Sequence, residues 1–315
     1  MNILITENMT AFGITRLGKK NHVEMIPDLS ANRERLINKI KEVDALIVRN
    51  QTIVDRDVLS AGKRLKVIGR LGVGLDNIDV KTAAELDIKI VSAQHANSIS
   101  VAEYVLSVIL NAKRSLSKAI HDVNLGNWDR QRFTGNEVYG KTLGLVGTGD
   151  IGHRIAKRAI AFGIKVIGYE PYQSDLSFPF METGIEKVSF DELLSRSDYI
   201  SIHTPLTEQT RFMFSANEFS LMKKESILIN TSRGGIVDEY ALFEAVASGG
   251  IAGAFLDVLE REPVNPTHFL LNHERIFITP HIAGLTVESQ ERITEMICEE
   301  VVIVLKGMDS LMVVK

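Results

Sequence analysis

The chain has 315 residues, of which 45% are hydrophobic and 24% charged, enough to bury a large core and to form about two domains. A formal net charge of -4, with 36 basic against 40 acidic side chains, argues against an electrostatic grip on nucleic acid or on an anionic membrane and favours a small-molecule partner. No stretch approaches the roughly 18 apolar residues needed to span a bilayer. The opening run Asn2–Thr6 lacks the basic lead and cleavage site of a signal peptide. The single cysteine, Cys298, lies in an apolar-patterned helical stretch; it is expected to pack rather than react and fits a reducing cytoplasm. No metal site is expected.

Short apolar, β-branched runs alternate with longer amphipathic segments throughout, the pattern of βα units around parallel sheets, so the fold class is α/β. Strands are predicted at Asn2–Thr6, Asp44–Val48, Lys66–Gly69 and Ile88–Ser92, with helical spacing over Asn32–Val43. A helix follows from near Ser100, capped by that hydroxyl with Glu103 reaching back, and is expected to run through Lys118 as the bridge out of a first domain. Six further strands are predicted at Thr142–Gly147, Lys165–Glu170, Asp198–His203, Ser226–Asn230, Ile251–Asp257 and Arg275–Thr279. Six strands fit a doubly wound dinucleotide domain. The last helix, Val287 to Lys306 with Gly307 as its stop, is expected to pack back on the first domain. The boundaries are therefore 1–97 plus 286–315 for one domain and 98–285 for the other.

The turn Gly147-Thr148-Gly149-Asp150-Ile151-Gly152 closes an apolar strand and opens a helix. Gly149 lets a pyrophosphate approach the backbone, Gly152 lets the helix lie close to the strand, and the free N–H groups of the helix start at Asp150 and Ile151 bind phosphate oxygens. The next strand ends in Glu170, 18 residues beyond Gly152, where an acid bonds a ribose diol and repels a 2′-phosphate. With no Arg or Lys between Glu170 and Met181, NAD is preferred over NADP.

Ligands of open α/β sheets sit beyond the carboxyl ends of the strands. There the sequence delivers His203-Thr204-Pro205, Thr231-Ser232-Arg233-Gly234-Gly235, Asp257 and His281. A 2-hydroxy acid needs a fixed cation for its carboxylate and developing carbonyl and an acid–base group at its hydroxyl, jobs that suit Arg233 and His281. Glu262 is placed to orient His281 and favour its protonated form. His203 is given only a cofactor-side role, His268 and His273 are expected at the plain surface, and Asp238 caps the helix through Val246.

The order Gly-x-Gly-x-x-Gly, His-Thr-Pro, Thr-Ser-Arg-Gly-Gly, Asp-Val-Leu-Glu-Arg-Glu-Pro and Pro-His-Ile-Ala-Gly resembles the D-isomer-specific 2-hydroxyacid dehydrogenase family across nearly the whole chain. The resemblance implies a Rossmann domain inserted into a smaller, flavodoxin-like substrate (lid) domain. It implies that Arg233 binds the substrate carboxylate and keto oxygen, that His281 is the general acid/base and that Glu262 is its partner. It gives Asp257 to the nicotinamide carboxamide, and His203, Thr204, Pro205, Thr210, Thr231, Ser232 and Gly284 to the cofactor. The segment 69–79 resembles the loop whose backbone N–H groups, here of Val73 and Gly74, hold the substrate carboxylate, and Asn97 matches a polar residue on the bridge. Residues 48–52 resemble a substrate-cleft segment of phosphoglycerate dehydrogenases, and Arg49 is either a partner for a phosphate or sulfonate at the substrate's far end or a surface arginine. The loop Asn124–Gly140, with Trp128, Arg132 and Phe133, resembles a segment that packs across a homodimer.

The expected reaction is reversible: neutral His281 takes the hydroxyl proton, hydride moves from the second carbon to the nicotinamide, and Arg233 holds the keto acid. Oxidation should strengthen and reduction weaken as pH rises. Two crossings, near Asn97 and Leu285, predict a hinge that closes on the ligands. The expected activity is phosphoglycerate dehydrogenase-like, with hydroxypyruvate or glyoxylate reductase and sulfolactate dehydrogenase as alternatives and an NAD-sensing partner protein as the non-enzymatic one. The few residues after Gly307 lead us to expect no extra regulatory domain.

Overall fold

Strands buried on both faces read as continuous apolar runs, and in a parallel sheet each must be joined to the next by a crossover. The computed structural model, which describes residues 1–314, realises this twice. The chain divides into two compact units, residues 1–97 with 285–315 and residues 98–284.

The first unit contains β1 (Asn2–Ile5), α1 (Ala11–Gly18), β2 (His22–Met25), α2 (Arg33–Lys39), β3 (Ala45–Val48), α3 (Arg56–Ala61), β4 (Val67–Arg70), α4 (Val80–Glu85) and β5 (Lys89–Ser92). Its five strands are all parallel in the order β2-β1-β3-β4-β5, the flavodoxin order. Alternation divides the sheet between two apolar layers: Ile3, Ile5, Ala45 and Ile47 join one, Leu4, Leu46 and Val48 the other. The edge strand β2 was not predicted; its residues are exposed or half-buried, so it lacks the apolar run that marks the others.

The second unit contains α5 (Ser98–Ala112), α6 (Leu116–Asn124), β6 (Thr142–Val146), α7 (Asp150–Ala161), β7 (Lys165–Tyr169), α8 (Phe178–Thr183), β8 (Glu186–Lys187), α9 (Phe190–Arg196), β9 (Tyr199–Ile202), α10 (Ala216–Leu221), β10 (Ile227–Asn230), α11 (Glu239–Ala247), β11 (Gly253–Leu256) and β12 (Ile276–Ile278). The sheet is parallel with order β12-β11-β10-β9-β6-β7-β8. That is a doubly wound Rossmann sheet with one strand added at its β12 edge, and its order reverses between β6 and β9. It has seven strands rather than the expected six, because two-residue β8 is too short to leave a pattern.

The bridge helix differs from expectation. Ser100 is buried inside α5 rather than capping it, and the helix stops at Ala112; Ser115 then takes a left-handed conformation (φ 35°) and α6 starts anew. A contact far along the chain helps to hold the break: the Lys113 carbonyl accepts the Asn136 N–H at 3.2 Å, from the loop before β6.

The final helix α12 (Val287–Leu305) returns to the first unit and ends before Gly307, whose φ of 75° lets the chain turn away. Ile293, Ile297, Cys298 and Val301 pack into the same layer as β1 and β3, and Cys298 is buried, its thiol pushed up to about 12 by desolvation. Among the described residues no helix is long and apolar enough to cross a membrane. Gly69 on β4 allows the contact with α12: a Cβ there would lie 2.8 Å from methyl carbons of both Ile297 and Val301. Gly69→Ala is expected to destabilise the first unit by about 1–3 kcal/mol through overpacking; calorimetric melts of parent and variant check this, and an unchanged melt contradicts the packing.

Candidate functional site

The turn between β6 and α7 lies at the point where the strand order reverses. Gly147 takes φ 94°, and a Cβ there would lie 2.7 Å from the His203 carbonyl oxygen; at Gly152 it would lie 2.4 Å from the Gly147 carbonyl. Both glycines are therefore required by close backbone approach. Gly149, the N-cap of α7, has open space where its side chain would be and makes no side-chain cap bond, so the first-turn N–H groups of a 12-residue helix are left for a ligand. Asp150 in that turn accepts from the Arg154 Nε at 3.1 Å, which offsets its charge near a phosphate, and Ile151 packs against the adjacent core layer. Glu170, one residue past β7, accepts from the backbone N–H of Thr148 at 3.4 Å and of Tyr172 at 3.2 Å, which sets its carboxylate beside the glycine turn.

Beyond β9 and β10, the hydroxyls of Thr204 and Thr231 are covered yet have no partner among the described residues. Such groups cost about 1–3 kcal/mol each when left unpaired, so they fit polar atoms of a dinucleotide. His203 is not an acid–base group: desolvation pushes it down to about 3, and its neutral ring shares a 2.8 Å hydrogen bond with the Ser201 hydroxyl. Thr210 is occupied with its own loop, donating to the Pro205 carbonyl at 2.7 Å and accepting from the Thr207 N–H at 2.8 Å. Ser232 donates to the Thr204 carbonyl and ties the two loops together.

Arg233 is carried by the loop after β10. Asn230, buried at that strand's end, accepts the Ser232 N–H at 3.0 Å and donates to the Arg233 carbonyl at 3.0 Å. The Arg233 guanidinium donates to the Ser232 carbonyl at 2.6 Å. A Cβ on Gly234 would sit 1.9 Å from the Leu259 carbonyl oxygen, so only glycine brings this loop against the segment that carries Glu262. Glu262 accepts the Leu259 N–H through Oε1 at 3.1 Å and meets His281 Nδ1 through Oε2 at 2.8 Å. Burial works to raise its pKa, but the hydrogen bond and charge of His281, with help from Arg233, hold it below the ordinary carboxylate value. The three residues singled out from sequence are thus electrostatically joined.

His281 sits at φ 56°, an uncommon conformation for a non-glycine residue, and its loop is fixed from beneath. Asp257, 1% exposed, accepts the Thr279 hydroxyl at 2.6 Å and the Ile282 N–H at 2.8 Å on one oxygen, and the Ala283 N–H at 2.8 Å on the other. Thr279 also meets the Tyr104 hydroxyl of α5 at 2.6 Å, and Gly284 ends this unit. Glu239 is a further buried support, accepting the Glu260 N–H at 2.6 Å and paired with His268 at 3.1 Å. His268 is therefore no plain surface residue. Asn230, Tyr104, Thr279 and Glu239 were not singled out from sequence; only Asn230, a polar residue closing an apolar strand, carried a signal.

Four of the sequence-derived positions lie in the first unit. Arg49 follows β3, half-buried; Val73 is exposed and Gly74 half-buried in the loop after β4; Asn97 has a buried carbonyl oxygen without a partner among the described residues. No group of three or more metal-ligating side chains occurs among the described residues.

Residues 106–283 match the family model described as D-isomer specific 2-hydroxyacid dehydrogenase, NAD binding domain. The chain belongs to this family. It is 43% identical over 310 residues to a D-3-phosphoglycerate dehydrogenase of Methanocaldococcus jannaschii, covering 98% of this chain and 58% of that one. It is 42% identical over 273 residues to a hydroxypyruvate reductase of Thermotoga maritima, covering 85% and 87%. A glyoxylate reductase from Paecilomyes thermophila superposes with a TM-score of 0.88 at 30% identity, covering 100% and 98%. The chain spans about 58% of the length of the first two phosphoglycerate dehydrogenases it matches.

For this member of the family the cofactor is NAD, whose pyrophosphate fits the uncapped start of α7 and whose ribose fits Glu170. Glu170→Gln is expected to lower the ratio of kcat/KM with NADH to that with NADPH by about tenfold, the worth of about 1.4 kcal/mol. Steady-state rates with both cofactors check it, and an unchanged ratio counts against the assignment.

Proposed function

We propose that this chain catalyses the reversible oxidation of a D-2-hydroxy acid to its 2-keto acid, with residues 98–284 as the cofactor-binding domain and residues 1–97 with 285–315, one residue more than expected, as the substrate-binding domain. The observation that carries the reading is the 2.8 Å contact between His281 Nδ1 and Glu262 Oε2, next to a loop that presents Arg233. NAD, when bound, supplies the hydride acceptor or donor. Arg233 binds the substrate carboxylate and stabilises charge on the carbonyl oxygen. With Nδ1 turned to Glu262, His281 has Nε2 left to take the proton of the hydroxyl in oxidation or return it in reduction. Glu262 fixes the ring and stabilises the imidazolium. Thr204, Pro205, Thr231 and Ser232 line the cofactor; Asp257, with its oxygens turned to the His281 loop, holds that loop and faces the nicotinamide carboxamide.

For the substrate, Val73, Gly74 and Asn97 serve the carboxylate end and Arg49 a second anion at the other, which favours a phosphoglycerate dehydrogenase-like activity. The likeness to hydroxypyruvate and glyoxylate reductases supports a second reading, in which the substrate lacks that anion.

A homodimer is proposed on the apolar surface of α6 and the loop after it, where Leu116, Ile120, Leu125 and Trp128 are each more than 60% exposed. Cytoplasmic placement fits a single, buried cysteine.

With NADH, a panel of 3-phosphohydroxypyruvate, hydroxypyruvate, glyoxylate, pyruvate and sulfopyruvate is expected to show turnover of at least one acid; none turned over would refute the enzyme reading. Oxidation is expected to rise with pH and reduction to fall, because one requires imidazole and the other imidazolium. In Glu262→Gln the alkaline limb of the reduction profile is expected to move to lower pH, since the imidazolium loses its counter-charge; superimposable profiles contradict the pairing. Light scattering is expected to give twice the chain mass, and Trp128→Glu with Ile120→Glu to give the monomer; a monomeric parent overturns the dimer.

A further inference from the structure

One buried carboxylate in the first unit has an unusual set of partners. Glu7, two residues beyond β1 and 5% exposed, accepts four consecutive backbone N–H groups: Arg49 at 2.8 Å and Thr52 at 3.0 Å on Oε1, Asn50 at 3.2 Å and Gln51 at 3.1 Å on Oε2. The sheet register produces this. β1 and β3 are neighbours with Ile5 opposite Ile47, so a residue just past β1 lies beside the segment that leaves β3. The same segment is held from its other side by Asn77, which donates to the carbonyls of Arg49 at 3.1 Å and Thr52 at 2.7 Å, while the Thr52 hydroxyl meets that of Thr6 at 2.8 Å.

A carboxylate on turn amides often does no more than cap the turn. Here the turn presents a charge that it leaves uncompensated. Among the described residues Arg49 makes no ion pair: its guanidinium bonds the neutral Gln290 Oε1 at 2.5 Å, and its Nε–H is buried without a partner. Glu7 is the acidic neighbour that acts on it, yet both Glu7 oxygens are committed to backbone N–H groups. Arginine stays protonated even when desolvated, so this arrangement keeps a half-buried cation with spare donors at a fixed place.

We infer that Glu7 is a positioning residue that fixes the Arg49–Thr52 segment so that Arg49 discriminates for 2-keto acids carrying a second anionic group, phosphate, sulfonate or carboxylate, at the far end. The inference rests on the proposed reading of Arg49 as a substrate residue. Glu7→Gln keeps the size of the side chain and replaces one acceptor oxygen by an NH2 group facing two N–H donors, which frees part of the segment.

The test compares the parent, Glu7→Gln, Glu7→Asp and Arg49→Ala by the ratio of kcat/KM for 3-phosphohydroxypyruvate to that for hydroxypyruvate with NADH. In Glu7→Gln this ratio is expected to fall by about tenfold or more, through KM for the phosphorylated acid, since a small misplacement of a binding group has such effects. Turnover of hydroxypyruvate and NADH affinity are expected to stay near the parent's, and amide hydrogen exchange of residues 49–52 to quicken. Glu7→Asp, which keeps the charge, is expected to lie between parent and Glu7→Gln and carries the test if Glu7→Gln does not fold. A folded Glu7 variant with the parent's ratio, or one that slows both acids equally, overturns the positioning role. An Arg49→Ala ratio equal to the parent's overturns the underlying reading of Arg49 instead, and the two failures are thereby told apart.

Discussion

The buried carboxylate of Asp257 is the constraint on which the geometry around His281 depends. It closes β11, and its two oxygens receive the Thr279 hydroxyl and the N–H groups of Ile282 and Ala283, on either side of His281. A buried charge is tolerated only where hydrogen bonds replace its water, and here those bonds come from the loop that must be held still. The left-handed backbone of His281 persists because its neighbours are pinned on both sides.

The same device recurs along the carboxyl ends of the strands. Asn230 after β10 grips the Arg233 loop, Glu239 at the start of α11 grips the Glu262 segment, and in the first unit Glu7 grips the segment after β3. In each case a buried polar side chain on, or just past, a regular element spends its hydrogen bonds on the backbone of an irregular one. The side chains of Arg233, Glu262, His281 and Arg49 then project from loops whose backbones are anchored by buried polar side chains. The cofactor turn works in the opposite sense. At Gly147 and Gly152 the absence of a side chain lets backbone meet backbone, and at Gly149 it leaves space for a ligand.

Much of the fold was legible because the strands are buried on both faces. All ten predicted strands overlap observed ones, most within a residue at either end, while Ile251–Asp257 shrinks to Gly253–Leu256 and Arg275–Thr279 to Ile276–Ile278. What escaped lacked that signature: exposed β2, two-residue β8 and the break between α5 and α6, which a loop residue more than twenty positions along, Asn136, helps to hold. Helix ends set by local chemistry were readable, as with Asp238 bonding the Tyr240 and Ala241 N–H groups at 3.0 Å.

By itself the sequence determined the α/β class, the dinucleotide turn and the identity of the polar groups at the strand ends, since each depends on residue type and short-range spacing. Only the tertiary structure decided which of those groups are engaged and with what. Glu262 and His281 are 19 positions apart and meet at 2.8 Å because their loops are brought together; His203 loses its charge to desolvation rather than to any neighbour in sequence. The supports, Asp257 beneath His281 and Glu7 beneath Arg49, bind backbone N–H groups 25 to 45 residues away. Backbone donors are the same at every residue, so no pattern of side chains announces them, and sheet register alone selects which ones a buried carboxylate will meet.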